Sequence, residues 1–208
     1  LPKQSVQGFA RTLDTVLPAR PHRFAVYAYA HLPQMFKPQK QIKVEDLATP
    51  ETRLQLLELT IDKLSAAGYI YIGMDHFALP DDELVLAQES GTMYRNFQGY
   101  STRGYCDLVG LGVSSIGKVG DHYIQNLKTL PEYYGAIDRG ELPVHRGYTM
   151  TRDDVIRRDV IQQIMCYGVL DFDATATRHG IDFRQYFASE LVALEPMVKD
   201  GLAEFAAP

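Results

Sequence analysis

Cysteine is scarce in this 208-residue sequence, which has only Cys106 and Cys166. The two lie far apart, and neither belongs to a Cys-x-x-Cys or Cys/His pattern that could bind zinc or an iron–sulfur cluster. The six histidines form no His-x-x-x-His set either. We therefore expect two free thiols and no metal site within these residues.

An excess of basic residues and long apolar runs are also lacking. The net charge of −5 argues against a dedicated nucleic-acid binder, which normally has a basic face. No apolar run approaches the roughly 20 residues of a membrane helix, and no signal peptide opens the chain. We expect a cytoplasmic protein without a membrane partner. Because Leu1-Pro2-Lys3-Gln4 has no initiator Met, we also expect a fragment.

Two familiar catalytic or cofactor patterns are incomplete. Gly110-x-Gly112 lacks the third glycine and the later acidic residue of a dinucleotide fingerprint. No Ser-His-Asp or Cys-His arrangement follows from residue spacing. Asp75 and His76 precede the acidic start of a short helix, where carboxylates favour the helix dipole. A structural role is the simpler interpretation of that cluster.

What the sequence does contain is an alternation of helices with apolar strands. Ser5 and Thr49-Pro50 are typical helix starts. Apolar runs of strand length follow each helix, and a third run comes later; they occupy residues 24–30, 69–73 and 108–113. Such alternation is typical of βα units, so we predict an α/β protein with a parallel sheet that forms a partial barrel.

Three segments follow the predicted strands, at residues 30–33, 73–77 and 114–117. Ligands bind at the carboxyl ends of strands in parallel sheets and barrels, so these segments should share one ligand-facing edge. The stretch 95–120 contains the last of them and is rich in glycine and small hydroxyl residues. The alternative is a buried strand followed by an ordinary turn.

The C-terminal part of the chain changes character. We predict a helix over residues 123–139, interrupted at Pro131, and a boundary near residues 140–143. The resulting domains are 1–145, the barrel portion, and 146–208, a small, mainly helical domain. In the second domain Thr151 caps a helix, another helix spans 183–199, and residues 201–205 begin a strand. This order resembles a truncated winged helix.

Several strings of the sequence closely resemble the oxygen-independent coproporphyrinogen III oxidases, which are radical S-adenosylmethionine enzymes. The resemblance covers essentially the whole chain, with the blocks in matching order and spacing. The strings are AYAHLP (28–33), IGMDHFALPDDEL (72–84), RNFQGYSTRG (95–104), GLGVSSIGKVGDHYIQN (110–126), MTRDD (150–154) and RRDVI (157–161).

The resemblance implies oxidative decarboxylation of two propionates of coproporphyrinogen III to vinyl groups, giving protoporphyrinogen IX. The family uses a [4Fe–4S] cluster, two S-adenosylmethionine molecules, and a reductant protein for the cluster. Its Cys-x-x-x-Cys-x-x-Cys motif is absent here, so we expect the cluster ligands to lie N-terminal to Leu1 and this segment alone to be inactive. We expect a monomer. The alternative function is a non-catalytic haem- or porphyrin-binding module of the same superfamily.

The resemblance also implies four cofactor-binding residues. Ala30 and Ile116 match positions that contact the second S-adenosylmethionine, and Phe97 and Gln98 match further residues near that site. The residue types suit an adenosyl group, because they offer apolar contact, an aromatic wall and an amide. The alternative for each is a packing residue. Ser115 stands where the family commonly has Ala.

Overall fold

The computed structural model describes residues 1–206. These residues fold into two compact units that meet in the chain between Gly104 and Tyr105. The predicted boundary at residue 145 falls within a strand of the second unit, and that division stays a prediction. No helix among the described residues has both the length and the apolar character needed to cross a membrane.

The first unit begins with a capped helix and builds a small sheet. Its α-helices are α1 (Val6–Val16), α2 (Pro50–Ala66) and α3 (Glu83–Glu89). Its strands are β1 (Arg23–Ala25), β2 (Ile70–Gly73), β3 (His76–Ala78), β4 (Tyr94–Asn96) and β5 (Gly99–Ser101). Short 3₁₀ helices occupy Leu17–Ala19, Lys37–Gln41 and Val44–Asp46.

The core of the first unit lies between α2 and the sheet. Leu64 of α2 and Phe77 of β3 are fully buried, together with Tyr69. The Phe24 ring packs edge-on to Tyr69 at 5.0 Å, and the Tyr69 hydroxyl donates to the Pro21 carbonyl at 2.7 Å. Apolar burial therefore fixes β1 and β3 against α2.

The second unit combines a three-stranded sheet with a helical layer. Its strands are β6 (Ile116–Val119), β7 (His122–Asn126) and β8 (Val144–Thr149). Its helices are α4 (Leu130–Asp138), α5 (Arg152–Tyr167), α6 (Phe172–His179), α7 (Phe183–Tyr186) and α8 (Ala188–Lys199). Buried Ile156, Phe183 and Phe187 form the centre of the helical core.

The prediction of a parallel sheet is wrong for the described residues. The sheets have strand orders β1-β3-β2, β4-β5 and β6-β7-β8, and every pair is antiparallel. For the pairs β2-β3, β4-β5 and β6-β7, the reason is that tight turns follow β2, β4 and β6 directly. At Met74 the backbone adopts a φ of 51°, and Gly120 adopts 53°. Such left-handed residues reverse the chain into a hairpin.

Other predicted elements differ in extent. The strand over 24–30 is limited to β1, and residues 108–113 contribute only an isolated bridge from Leu108 to Lys118. The helix over 123–139 is wrong: β7 occupies its first part, and Pro131 lies in the first turn of α4. Pro tolerates that position because its missing N–H would have no helical partner.

The predicted caps are confirmed and the predicted C-terminal strand is not. Ser5, Thr49 and Thr151 each accept a backbone N–H at a helix start, and Thr151 forms a capping box with Asp154. The helix predicted over 183–199 is divided into α7 and α8, and α6 was not predicted. Residues 201–205 form no strand, so no winged hairpin begins there.

Candidate cofactor site

Phe97 and Gln98 lie together at the tip of the hairpin formed by β4 and β5. The Asn96 side chain accepts a hydrogen bond from the Gln98 backbone N–H at 2.9 Å, and Gly99 follows with a φ of 130°. Only glycine adopts that φ readily, so the tip is built by Asn96 and Gly99. As a result Phe97, which is 65% exposed, and the exposed Gln98 both face away from the hydrophobic core.

Ala30 lies in the segment after β1, where its backbone is fixed by a side chain. The Gln39 amide donates to the Ala30 carbonyl at 3.2 Å and accepts from the Leu32 N–H at 2.5 Å. Gln39 belongs to the 3₁₀ helix Lys37–Gln41. This amide holds the turn after Ala30 and leaves the Ala30 methyl group exposed.

Ile116 begins β6 in the second unit and pairs with Gln125 of β7. A glycine-rich loop, residues 108–115, leads into it. The buried Asn126 side chain donates to the carbonyls of Gly110 and Gly112, at 2.9 Å each. The Tyr133 hydroxyl accepts from the Gly112 N–H at 3.0 Å. Asn126 therefore determines the loop shape, and sequence reasoning did not identify it.

An aromatic cluster around His76 was also not identified. The His76 ring lies edge-to-face with Tyr27 at 5.8 Å and with Tyr100 at 5.3 Å. The Arg95 guanidinium stacks over the Tyr100 ring at 4.6 Å from its centroid. The available signal was the recurrence of aromatic residues at Tyr94, Phe97 and Tyr100, but the distant partner His76 could not be predicted from it.

The electrostatics of this cluster favour a neutral imidazole. Burial lowers the pKa of His76; the Asp75 carboxylate raises it, while Arg95 and Arg23 lower it further, and the net shift is downward. Burial also raises the pKa of Tyr71, with a further contribution from Asp75. Both rings therefore remain uncharged near neutral pH.

A neighbouring ion pair anchors β1 to α3. The Arg23 guanidinium donates to Asp82 at 2.7 Å and to Glu83 at 2.9 Å. Burial raises the pKa of Asp82, but hydrogen bonds from Arg23 and from the Leu84 N–H outweigh it and lower that pKa overall. Asp82 also caps α3. This ion pair fixes the start of β1 relative to the N-terminus of α3, the helix that precedes the hairpin of β4 and β5.

The structure thus brings together only some of the predicted site residues. Phe97 and Gln98 share one hairpin tip, and Ala30 lies on a separate segment of the same unit. Ile116 belongs to the second unit. Ala30, Phe97 and Gln98 are exposed, whereas Ile116 is half-buried at the start of β6.

Phe97 and Gln98 suit S-adenosylmethionine, one of the two kinds of cofactor that the resemblance implies. An exposed aromatic ring beside an exposed amide offers stacking and hydrogen bonding to an adenine or amino-acid group. The chain does not fit an iron–sulfur cluster, which needs several cysteine thiolates. Cys106 is exposed, Cys166 is buried, and no group of three or more potential metal ligands occurs among the described residues.

Comparison with known proteins gives a consistent result. No family model matches the chain. It is 52% identical over 97% of its length to an oxygen-independent coproporphyrinogen III oxidase of Pseudomonas aeruginosa, and 48% identical over 98% of its length to that of Escherichia coli. It covers 44% and 45% of those two proteins, so the chain spans about half the length of these curated relatives.

A solved structure agrees with these relatives. The Escherichia coli coproporphyrinogen III oxidase, described as a radical SAM enzyme, superposes with a TM-score of 0.94 at 47% identity. The match covers 99% of this chain and 48% of that structure. At this identity, over nearly all of its residues, the chain belongs to the family of oxygen-independent coproporphyrinogen III oxidases.

Proposed function

We propose that the protein containing this chain converts coproporphyrinogen III to protoporphyrinogen IX by a radical S-adenosylmethionine mechanism. Two propionates become vinyl groups. Each loses CO₂, one hydrogen atom, which the 5′-deoxyadenosyl radical takes up, and one electron, which passes to an external one-electron acceptor. The observation that carries the proposal is the 52% identity, over 97% of the chain, to the Pseudomonas aeruginosa protein named oxygen-independent coproporphyrinogen III oxidase. A reductant protein and a [4Fe–4S] cluster bound outside these 208 residues complete the chemistry.

Within this protein the chain supplies part of the cofactor pocket. S-adenosylmethionine, when reduced, provides the radical that removes the hydrogen atom. We assign adenosyl contacts to the exposed Phe97 ring and the Gln98 amide, which the hairpin holds in a fixed turn. Ala30, fixed by Gln39, adds apolar contact in the first unit. In the second unit, we assign apolar contact to Ile116, at the start of β6. These residues bind and orient the cofactor and exclude water from it.

The proposed architecture has two parts. Residues 1–145 form the carboxyl-side portion of a partial barrel, and residues 146–208 form a helical C-terminal domain. The helices after Thr151 support a mainly helical C-terminal part, whereas β8 (Val144–Thr149) continues across residue 145. Two S-adenosylmethionine molecules bind per protein, and the protein acts as a cytoplasmic monomer.

The test is anaerobic turnover by the full-length gene product that contains these residues. With cluster, reductant and S-adenosylmethionine, coproporphyrinogen III should disappear while protoporphyrinogen IX and two equivalents of 5′-deoxyadenosine form, as quantified by chromatography after oxidation of the porphyrinogens. A non-catalytic porphyrin-binding module would instead bind porphyrin and form neither product. That outcome would contradict the proposal.

A further inference from the structure

We propose that His76 is a positioning residue for S-adenosylmethionine, because its ring links the segment leading to Ala30 with the hairpin that carries Phe97 and Gln98. This inference rests on the proposed function. His76 contacts Tyr27, three residues before Ala30, and Tyr100, two residues after Gln98. The imidazole therefore contacts both Tyr27, in the segment that leads to Ala30, and Tyr100, in the hairpin that carries Gln98.

The hairpin needs such a link. Strands β4 and β5 pair with each other, and no third strand joins them among the described residues. A backbone hydrogen bond from Met93 to Ala87 at 3.0 Å holds the base of the hairpin, and side-chain contacts fix the rest of it relative to the first unit. The edge-to-face contact of Tyr100 with His76 is one of them, and the Thr102 hydroxyl, 3.4 Å from Glu83, is a weaker one.

His76 is itself well anchored. It is the first residue of β3 and pairs with Ala25 of β1 and Gly73 of β2. Both edges of its three-stranded sheet thus fix its backbone. The ring planes of Tyr27 and Tyr100 lie at 85° and 88° to the imidazole, the orientation that aromatic quadrupoles favour. A rigid strand therefore carries the ring that both neighbours contact.

The ring nitrogens argue for positioning rather than for proton transfer. Nε2 lies 3.5 Å from the Tyr27 hydroxyl, whereas Nδ1 is inaccessible and has no hydrogen-bond partner among the described residues. A buried donor without an acceptor is costly, so we assign the proton to Nε2. Nδ1 is closed to solvent, and the charged groups that act on the ring electrostatically are Asp75, Arg95 and Arg23. Packing is the role left to the ring.

The test compares His76→Ala with His76→Phe in the full-length gene product. Equilibrium dialysis measures the dissociation constant of S-adenosylmethionine. Loss of both edge-to-face contacts in His76→Ala should weaken binding about ten-fold, while the Phe ring should restore binding to within about two-fold of wild type. In turnover, His76→Ala should raise KM for S-adenosylmethionine and leave kcat nearly unchanged. His145→Ala, on exposed strand β8, is the control and should bind as wild type.

A double-mutant cycle tests the link to the hairpin. If His76 acts through Tyr100, combining His76→Ala with Tyr100→Leu should weaken binding no more than the stronger single variant does. Additive effects would overturn the proposal. So would wild-type affinity in His76→Ala, or equal weakness of His76→Phe and His76→Ala.

Failure of the proposed function has a different signature. If the wild-type protein does not bind S-adenosylmethionine, the proposed function fails and this inference fails with it. If wild type binds and the His76 variants are unaffected, only this inference fails. If His76→Ala does not fold, His76→Phe and Tyr100→Leu provide the test. We expect His76→Phe to bind S-adenosylmethionine with wild-type affinity and Tyr100→Leu to bind it about ten-fold more weakly. Any other pair of results overturns the proposal.

Discussion

Asn126 is the residue that gives the glycine-rich loop its shape. Its amide donates to the carbonyls of Gly110 and Gly112, and its backbone N–H donates to the Ser115 carbonyl at 2.9 Å. All three acceptors belong to the loop that leads into Ile116. One buried side chain thus replaces the ladder hydrogen bonds that residues 108–113 would have made as the predicted strand.

Replacing Asn126 should therefore destabilise the second unit. Asn126→Ala leaves two carbonyls without their donor, for an expected loss of about 2 kcal/mol in the free energy of unfolding. Asn126→Asp should cost at least as much, because a carboxylate offers no donor. Urea denaturation measures both, with exposed Lys128→Ala as the control. A change below about 0.5 kcal/mol in both Asn126 variants would show that the loop does not depend on this amide.

His76 gives the first unit a dependence on pH. Burial is the largest cause of its lowered pKa; Asp75 opposes it, and Arg95 and Arg23 add to it. The unfolded chain therefore binds a proton at a pH where the folded chain does not. The stability due to neutral His76 is fully present above its ordinary pKa of 6.5 and is lost as pH falls from there through the folded pKa.

The matched comparison is wild type against His76→Phe, which keeps a ring but does not titrate. The wild-type free energy of unfolding should fall relative to that of His76→Phe as the pH decreases below 6.5. Denaturant titrations at a series of pH values, with unfolding followed by fluorescence, measure this difference. A difference that stays constant across the range, or that changes in the opposite direction, would contradict a lowered His76 pKa.

At the scale of elements, the site depends on close approach of the glycine-rich loop to β6. A Cβ at Gly117 would lie 2.6 Å from the Leu108 carbonyl oxygen, which accepts the Lys118 N–H at 2.7 Å. No real contact between such atoms is so short. The bridge between Leu108 and Lys118 therefore requires glycine at this point of the strand.

Gly117→Ala should separate the loop from β6. We expect a loss of about 1–3 kcal/mol in the free energy of unfolding, typical of an overpacked site, and faster hydrogen exchange at the amides of Leu108 and Lys118. Gly147→Ala in β8 is the control, because its Cβ would meet the Tyr123 carbonyl at an ordinary 3.5 Å. Equal effects of the two substitutions would show that the close approach at Gly117 is unimportant.

Elements with local signals were predicted better than elements with distant partners. Ser5, Thr49 and Thr151 cap helices through hydrogen bonds to residues three positions away, so their role is readable from sequence. The direction of strand pairing depends on turns such as Met74-Asp75, where a non-glycine residue adopts a left-handed φ. Nothing in the residue type at Met74 announces that turn.

The same difference between local signals and distant contacts applies to the residues of the candidate site. Resemblance identified Phe97 and Gln98, and the hairpin confirms only that they lie together at one tip. Asn126 was not identified and His76 was given only a structural role, because their importance lies in contacts to residues many positions away. Asn126 is the last residue of the string 110–126 that resembles the family, and His76 lies within the string 72–84. Neither residue's position in its string predicts which residues it contacts.

At the scale of the whole molecule, each of the two compact units contains residues proposed to contact the cofactor. Ala30, Phe97 and Gln98 belong to the first unit and Ile116 to the second. The chain covers 48% of the solved Escherichia coli structure that it matches, and its two cysteines do not suffice for a cluster. We therefore propose that these residues bind and orient S-adenosylmethionine and that electrons are supplied from outside these 208 residues.

The most direct test of that assignment is the affinity of the full-length gene product for S-adenosylmethionine, measured in wild type and Gln98→Ala. The matched control is Gln55→Ala, on the exposed face of α2. Loss of the hairpin amide should weaken binding about ten-fold, as expected for a hydrogen bond to a charged ligand, while the control binds as wild type. Wild-type affinity and unchanged stoichiometry in Gln98→Ala would contradict the account.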